Sequence, residues 1–592
     1  MKGLINIMTG IFKERTKKNK KVKEKSNENK ENLPEKSKVK SGIKFTIIAV
    51  ILIAIFCVAL TPVTLQNDTF YTIKIGEHIL QNGIDMQDPF SWHQDLAYTY
   101  PHWLYDVVTY LIYNSFGMNG IYITTCTLSI ILGLTIFFTN KKLVKNQGVS
   151  FVITIAAMYL IRGYIAARAQ LLTFTLFVLT VFFIEKFLET KKKRYAVGLI
   201  IIPILLANFH LAVFPFYFIL YLPYIGEYII AVLAETIIYR KFAVTRLKFK
   251  IKTATKKNEK PEKIKQLQEE LKKLEESIDK VKIKRTKELQ NPYKIRLVKR
   301  DNVKWLILIM VICAFTGFLT PLGDTPYTYL EKTMQGNTTQ NINEHLPMTL
   351  ANETEVICVL IIFLAILIFT KTKIRLCDLF MLGGLCYLML MTKRQVTMFV
   401  LMGTFILNRL ITELLQIGTG ESLSELKDQF IKLVNVPVMV MITAVMVGFS
   451  YHMAEDKFDA KYVDESAYPV QACDYILENI DLGKAKFYNE YNYGSYMIFR
   501  GIPVFIDSRA DLYAPEFSGK DEDIFMDFIN TSNIGTFYED TFKKYGITHI
   551  ICYKNSKMNM IITKTHDPKL KELYSDNYFV VYERQTEDVT QQ

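Results

Sequence analysis

Cysteine, histidine and tryptophan are scarce in this chain of 592 residues, which contains eight, eight and three of them. There is no Cys-X-X-Cys pair and no Cys/His cluster, so nothing in the spacing predicts a zinc site. Six cysteines fall in or beside apolar segments, where a thiol acts as a small hydrophobic group. Only Cys473 and Cys552 lie elsewhere, and they could pair in a disulfide.

Two further absences narrow the class of protein. The C-terminal part contains no glycine-rich phosphate loop, and the chain shows no internal repeat of the kind that marks many transporters.

Lys and Arg outnumber Asp and Glu by 72 to 58. In a soluble protein that excess would suggest nucleic acid as a partner. Here the distribution of charge matters more, and we expect no nucleic-acid binding.

Long hydrophobic runs dominate the sequence. Half of the residues are hydrophobic, and the mean hydropathy of +0.14 is unusual for a soluble protein. Nearly uncharged runs of about 20 residues are long enough to cross a hydrocarbon core of ~30 Å. This excludes a soluble enzyme, a collagen-like fibre and a disordered chain. Eleven spans are predicted, at 44–63, 119–139, 150–165, 170–188, 195–210, 214–238, 304–321, 354–370, 375–391, 396–412 and 436–451.

The charges predict an orientation in the cytoplasmic membrane. Residues 1–43 carry 13 Lys or Arg against five Glu and read as a disordered cytoplasmic tail. Short loops rich in Lys and Arg then alternate with loops nearly free of them, as the positive-inside rule requires. Because the number of spans is odd, the acidic residues 452–592 fall outside. The transmembrane domain is 44–451, and its first apolar run is a retained anchor.

Two segments stand apart from the spans. The basic insertion 240–303 has a heptad-like seam over 264–281, which predicts a cytoplasmic helical hairpin that packs on itself or an arm for self-association. Residues 452–592 read as an α/β domain, with a helix over 468–479 and a partly parallel sheet. Its predicted strands are 486–488, 504–506, 549–553 and 579–582.

The outer loop 64–118 is too structured to be a linker. A first helix follows Asn67 and Asp68, either of which could cap it, and Gly83 could end it. A second helix starts at Pro101, a favoured first helical residue, and runs to Gly117. The two amphipathic helices would form a roof over the membrane surface.

Basic residues at the outer ends of spans are exceptions to the charge pattern. They are Arg162, Arg168, Lys393 and Arg394. An arginine deep in the bilayer costs about 2.5–3.5 kcal/mol on insertion scales. Binding of a phosphate at the outer leaflet would explain these residues, because a guanidinium matches phosphate with two hydrogen bonds. The alternative is snorkelling to lipid headgroups.

Several other polar residues on the outer side are candidates for an acceptor or metal site. Asp88 lies in a turn before Pro89, which is an ordinary structural position. His102 and Asp106 share a helix face, so they could bind a metal, place an acceptor or simply hold the two roof helices together. His210 at a helix end and Glu344 in the outer loop 323–352 have no supporting spacing.

The motifs in these segments resemble the GT-C superfamily of glycosyltransferases. The stretch NDTFYTIKIGEHILQNGIDMQDPFSW, followed by PHWLYDV, is similar to the first external loop of a bacterial branch. The pieces ARAQLLTF, ANFHLAVF, TKRQVTMF and NEYNYGSYMIFRGIPVFIDSRADLY occupy comparable positions. The resemblance covers most of residues 44–592 apart from 240–303.

The resemblance implies a polytopic α-helical membrane enzyme with an extracytoplasmic C-terminal domain. Such an enzyme takes a sugar from a polyprenyl-phosphate donor, among membrane lipids, and passes it to an extracytoplasmic acceptor. An acidic residue in the first outer loop serves catalysis in that superfamily, and the matching residue is Asp68. A carboxylate there could take the proton of the acceptor hydroxyl. The chain lacks an Asp-X-Asp pair at this point, because Phe70 stands two residues beyond Asp68. A divalent cation remains a possible cofactor.

Other functions fit parts of the pattern. A polymerase or ligase of surface polysaccharide would usually carry its main outer loop late in the chain. A transporter or lipid flippase would place ionisable groups at the midplane, where Glu227 is the main candidate. A non-catalytic scaffold with an external binding domain would keep the same architecture. The Lys-, Asn- and Ile-rich usage is typical of an AT-rich bacterial genome.

Overall fold

A computed structural model describes residues 35–235, 237–256, 261–279, 288–290, 294–349, 351, 353–420, 425 and 436–585. Most of the predicted tail 1–43 therefore lies outside the described residues. The first half of the chain forms α1 (Glu35–Leu60), α2 (Asn67–Asn82), α3 (Trp103–Val144), α4 (Gln147–Leu160), α5 (Ala169–Thr190), α6 (Lys193–Phe209), α7 (Phe214–Ile219) and α8 (Leu222–Glu235). The insertion forms α9 (Ile237–Lys256), α10 (Pro261–Asp279), β1 (Glu288–Gln290) and β2 (Ile295–Val298).

The second half of the membrane part follows the insertion. It comprises α11 (Val303–Ala314), α12 (Thr325–Gln335), α13 (Thr338–Asn341), α14 (Thr354–Phe369), β3 (Ile374–Arg375), α15 (Leu376–Met391), α16 (Val396–Thr419) and α17 (Val436–Ala454). Within the described ranges, six segments are long and apolar enough to cross a membrane: Ile43–Leu60, Trp103–Val144, Ala169–Thr190, Leu211–Leu233, Lys393–Gly418 and Pro437–Lys457. The other five predicted spans fall on the shorter helices α4, α6, α11, α14 and α15. The apolar side chains of these helices share one large core.

The second roof helix and the second span are two parts of one long helix, α3. They are separated at Gly117, whose φ of 60° and ψ of −154° break the helical path. Glycine adopts this conformation without a Cβ clash, so the predicted end at Gly117 is confirmed. The predicted start is wrong by two residues, because α3 begins at Trp103 and not at Pro101. The predicted sixth span is also interrupted, between Ile219 and Leu222, close to Pro223.

The insertion contains a helical pair, α9 and α10, which contact each other. This agrees with the predicted hairpin, although Val281 at the end of the seam lies outside the described residues. The short strands were not predicted: β2 pairs antiparallel with β1 and parallel with β3, which precedes α15. The insertion is therefore joined to the membrane part by backbone hydrogen bonds.

A cluster of buried charges lies where the insertion meets the helices. The Arg375 guanidinium contacts Glu185 at 2.6 Å and Asp378 at 2.7 Å. Arg300 reaches Glu185 at 3.2 Å, and Arg409 reaches Asp378 at 2.5 Å. Three guanidinium groups and two carboxylates satisfy one another here, so each partner offsets the cost of burying the others.

The C-terminal domain is α/β, as predicted. It contains α18 (Val470–Asn479), β4 (Phe487–Tyr488), α19 (Tyr491–Phe499), α20 (Pro515–Ser518), α21 (Ile524–Ser532), α22 (Tyr538–Tyr545), β5 (His549–Tyr553), α23 (Lys557–Thr565), β6 (Leu570–Ser575) and β7 (Phe579–Arg584). The strand order is β4-β5-β7-β6, with β4 and β5 parallel and the other pairs antiparallel. Cys473 and Cys552 are both free and buried, so the disulfide is not formed.

Two details of the predicted sheet are wrong. Residues 504–506 form no strand of this sheet, because Val504 instead makes an isolated parallel bridge with Ser91 of the outer loop. Strand β6 was missed, since the adjacent charged residues Lys571 and Glu572 interrupt its apolar residues and leave no alternation, on an edge strand. The outer loop and the C-terminal domain also share a hydrophobic core, which includes Tyr100 from the loop and Phe505 from the domain.

Candidate functional site

The first roof helix, α2, places Asp68 near the membrane end of the outer loop. Phe70, Ile73 and Ile75 are buried, which fixes the helix against its surroundings. The prediction that Asn67 or Asp68 caps α2 is wrong: the N-cap residue is Gln66, and its side chain makes no capping bond within the described residues. Asp68 is instead the second residue of the helix, and its carboxylate is free for another partner.

That partner is Arg168, the residue immediately before α5. The Asp68 carboxylate lies 2.9 Å from the Arg168 Nε, and each side chain is about a quarter exposed, at 24% and 25%. The two charges touch without the alignment of a hydrogen bond. Among the residues that the structure describes, no acceptor is aligned with the buried Arg168 Nε–H. The contact between Asp68 and Arg168 is therefore an ion pair.

Glu344 brings the outer loop 323–352 to the same guanidinium. Its Oε1 lies 3.3 Å from the Arg168 Nη1, and its backbone carbonyl accepts a hydrogen bond of 3.0 Å from the Arg394 N–H. Burial would raise the pKa of Glu344, but the charges of Arg168 and Arg394 lower it below its usual value. Glu344 is thus held as a carboxylate between two arginines.

These groups line one cavity of about 710 Å³. The cavity lies between the roof helices, the outer ends of the spans and the C-terminal domain. Of the ten residues predicted from the sequence, six line it: Asp68, His102, Arg168, His210, Glu344 and Arg394. Arg168 and Arg394 therefore converge on one cavity, while their role as a phosphate site stays a prediction.

His102 joins the two roof helices at the wall of the cavity. Its Nδ1 lies 2.8 Å from Oδ1 of the fully buried Asp106, and its Nε2 lies 3.1 Å from the Tyr71 hydroxyl. Burial would lower the pKa of His102, but the charge of Asp106 raises it above its usual value. His210 bonds Thr173 through its Nδ1 at 2.9 Å.

The other four predicted residues do not line the cavity. Arg162 makes a bidentate pair with Glu355 at 2.8 and 3.1 Å, and the Lys393 ammonium lies 3.0 Å from Glu353. Both basic groups are therefore paired with carboxylates outside the cavity. Asp106 is buried behind His102. Asp88 is fully buried too, at 2.7 Å from Arg509, so its place is structural.

The C-terminal domain supplies residues that sequence reasoning missed. Tyr491, Asn492, Arg509 and Asp511 line the same cavity. Asp511 accepts hydrogen bonds from Tyr329 at 2.7 Å and from a threonine of α13 at 3.0 Å, so it ties the domain to the loop 323–352. The alternating charges of the run Asp507 to Asp511 were the available signal, within a motif noted only for its resemblance.

The described residues contain no group of three His, Cys, Asp or Glu side chains that could hold a metal ion. Two of the carboxylates that line the cavity, those of Asp68 and Glu344, both face the Arg168 guanidinium. This arrangement places a fixed positive charge between two segments that are far apart in sequence.

No protein-family model matches the sequence, and no curated protein matches it. Among solved structures, the chain is similar to the crystal structure of the oligosaccharyltransferase of Archaeoglobus fulgidus in its apo form. The match covers 91% of this chain and 74% of that one, with a TM-score of 0.50 and 10% sequence identity. The likeness concerns the fold alone. It does not extend to the bacterial branch suggested by the sequence.

Proposed function

We propose that this chain is a membrane glycosyltransferase, which moves a sugar from a polyprenyl-phosphate donor to an extracytoplasmic acceptor. The observation that carries the proposal is the cavity in which Asp68, Arg168 and Arg394 meet at the outer ends of the spans. The likeness in fold to an oligosaccharyltransferase supports the same class of reaction. The N-terminus would be cytoplasmic, and the C-terminal domain would lie outside.

The two arginines are the proposed phosphate site. A phosphate accepts two parallel hydrogen bonds from a guanidinium, and a donor phosphate would take the place that the Asp68 carboxylate occupies beside the Arg168 Nε. Cations near the leaving phosphate also stabilise the negative charge that develops as the bond to the sugar breaks. Glu344, which now lies between Arg168 and Arg394, would move aside for the donor.

Asp68 is the proposed catalytic base. The new bond joins the acceptor oxygen to the anomeric carbon, and the bond from that carbon to the phosphate oxygen breaks. The phosphate leaves as an anion, and the hydroxyl proton passes to the Asp68 carboxylate. When a donor phosphate binds Arg168, the carboxylate at 2.9 Å from that arginine loses its ionic partner and becomes a better base.

The proposed acceptor side is the wall contributed by the C-terminal domain. Tyr491 and Asn492 offer an aromatic ring and an amide, and Asp511 offers a carboxylate. His102 and His210 complete this wall from the membrane part. Such groups can bind the hydroxyls and apolar faces of a glycan, a lipid or a protein side chain.

The direct test is turnover by the purified protein in lipid nanodiscs. A panel of polyprenyl phosphates carrying different radiolabelled hexoses and pentoses would be mixed with cell-wall and membrane extract as the source of acceptor. We expect release of polyprenyl phosphate and transfer of label for at least one donor. Donor flipping across liposomes without cleavage would indicate a flippase instead. Binding of extract components with neither activity would indicate a scaffold.

A further inference from the structure

A second, smaller cavity lies beneath the second roof helix. The break at Gly117 folds residues 103–116 back over the span that follows, and a gap of about 120 Å³ remains between the two parts of α3. Val108 and Ile112 line it from the roof helix, and Ile121, Thr124 and Leu128 line it from the span. We refer to this cavity as the apolar slot.

The slot is suited to hydrocarbon. All of its lining residues are uncharged, and the hydroxyl of Thr125, which also lines it, is already satisfied by the Ile121 carbonyl at 2.8 Å. An apolar cavity of about 150 Å³ in another protein stays dry and binds benzene, so a space of this size and character can hold a short piece of a hydrocarbon chain. Water would find few polar partners there.

The slot adjoins the site of the two arginines. Tyr105 lines both the slot and the large cavity. Ala167, which lines the slot, directly precedes Arg168, and Phe209, which also lines it, directly precedes His210. A molecule with a phosphate on Arg168 would therefore have an apolar space beside that phosphate, on the membrane side of the roof.

We infer that the apolar slot binds one of the first isoprenoid units of a lipid phosphate whose head is held by Arg168. The inference rests on the proposed function for the identity of the lipid, and it adds the position of its tail. Burial of apolar surface in the slot contributes affinity, while the arginine fixes the end of the chain. The bend at Gly117 then serves function, because it creates the slot.

The test compares binding of two probes, farnesyl monophosphate and inorganic phosphate, to the full-length protein in nanodiscs. Thr124→Phe fills the slot. Ile123→Phe is the matched control, because the neighbouring Ile123 is 62% exposed on the surface of the same helix and does not line the slot. We expect Thr124→Phe to raise the Kd of farnesyl phosphate about tenfold, equivalent to about 1.4 kcal/mol. The Kd of inorganic phosphate, and both Kd values of the control, should change less than about twofold. An unchanged Kd of farnesyl phosphate in Thr124→Phe, or an equal rise in the control, would overturn the inference.

Photo-crosslinking gives a second measurement. It uses the unmodified protein, so its result does not depend on whether a variant folds. A farnesyl phosphate with a diazirine on its second isoprene unit should label residues 105–112 or 121–128, or the other lining residues Ala167, Leu172 and Phe209. Labelling confined to residues outside this lining would refute the slot. A protein that is labelled in the slot but transfers no sugar retains this inference and loses the proposed function. A protein that transfers sugar but is labelled elsewhere retains the proposed function and loses this inference.

Discussion

Replacing Asp68 by Asn separates a catalytic carboxylate from a structural one. The change removes the base while keeping the size and most of the polarity of the side chain. General-base catalysis contributes roughly 10²–10⁴-fold, so turnover should fall by about that factor. The cost in stability should be small. Asp68 caps no helix, and its ion pair is about a quarter exposed, which limits the loss to about 1 kcal/mol. Arg168 would keep Glu344 as a partner at 3.3 Å.

The assay measures initial rates of donor cleavage at saturating donor, together with thermal unfolding of the same preparations. Asp95→Asn is the matched control. Asp95 is an exposed carboxylate in the same outer loop, and its φ of 56° is one that Asn tolerates well. The control should retain the wild-type rate and melting temperature, which would show that loss of a loop carboxylate is harmless in itself.

Near-wild-type turnover in Asp68→Asn would refute the base assignment. Attention would then move to His102, because it lines the cavity and is paired with the buried Asp106. A rate loss accompanied by a large drop in melting temperature would also contradict the reasoning, since the contacts of Asp68 do not account for it.

Three further predictions test the site, the orientation and the C-terminal domain. Arg168→Lys keeps the positive charge but loses the two parallel hydrogen bonds of the guanidinium, so the KM for the donor should rise about tenfold. Arg394→Ala should also raise this KM. An unchanged KM in both variants would exclude a phosphate site. In a cysteine-free background, an impermeant thiol reagent added to intact cells should label a cysteine introduced at Gln585 and not one at Glu270; the opposite pattern would invert the topology. Burial raises the pKa of Glu490 to about 7, so the folded state binds the proton more tightly and stability should fall as the pH rises from about 4.5 through 7. Glu490→Gln should flatten that part of the melting-temperature profile, and an unchanged slope would contradict the shift.

Hydropathy and local turn chemistry predicted the helices of this fold well. Every predicted span falls on apolar helical segments, although the sixth is divided between α7 and α8, because a hydrocarbon core demands long apolar runs that the sequence displays directly. Gly83 and Gly117 end their helices as expected, since the conformation at these points favours glycine. The cap of α2 was not predictable, because the choice between Gln66, Asn67 and Asp68 depends on the tertiary partner of the carboxylate.

The site was predictable only in part, for reasons of chain separation. Arg168 and Arg394 were found because cations at the outer ends of spans are costly, which is a local signal. Their partners are set by long-range packing: Glu344 reaches Arg168 across 176 positions. Arg162 carries the same local signal, because it is also a basic residue at the outer end of a span. It pairs with Glu355, however, and does not line the cavity. Only the three-dimensional arrangement separates the two cases.

The C-terminal domain and the outer loop depend on each other for their structure, which bears on how the site is assembled. Arg509 is 2% exposed and lies 2.7 Å from both Asp88 of the loop and Asp507 of its own domain. Burial would raise the pKa of Asp88, but the charge of Arg509 lowers it below the usual value. Removing one partner of such a buried pair typically costs about 3–5 kcal/mol, because the remaining charge stays buried and unpaired. Since Arg509 also lines the cavity beside Asp511, the same residue that anchors the loop forms part of the wall of the site. The C-terminal domain is therefore a structural part of the cavity in which Asp68 and Arg168 meet.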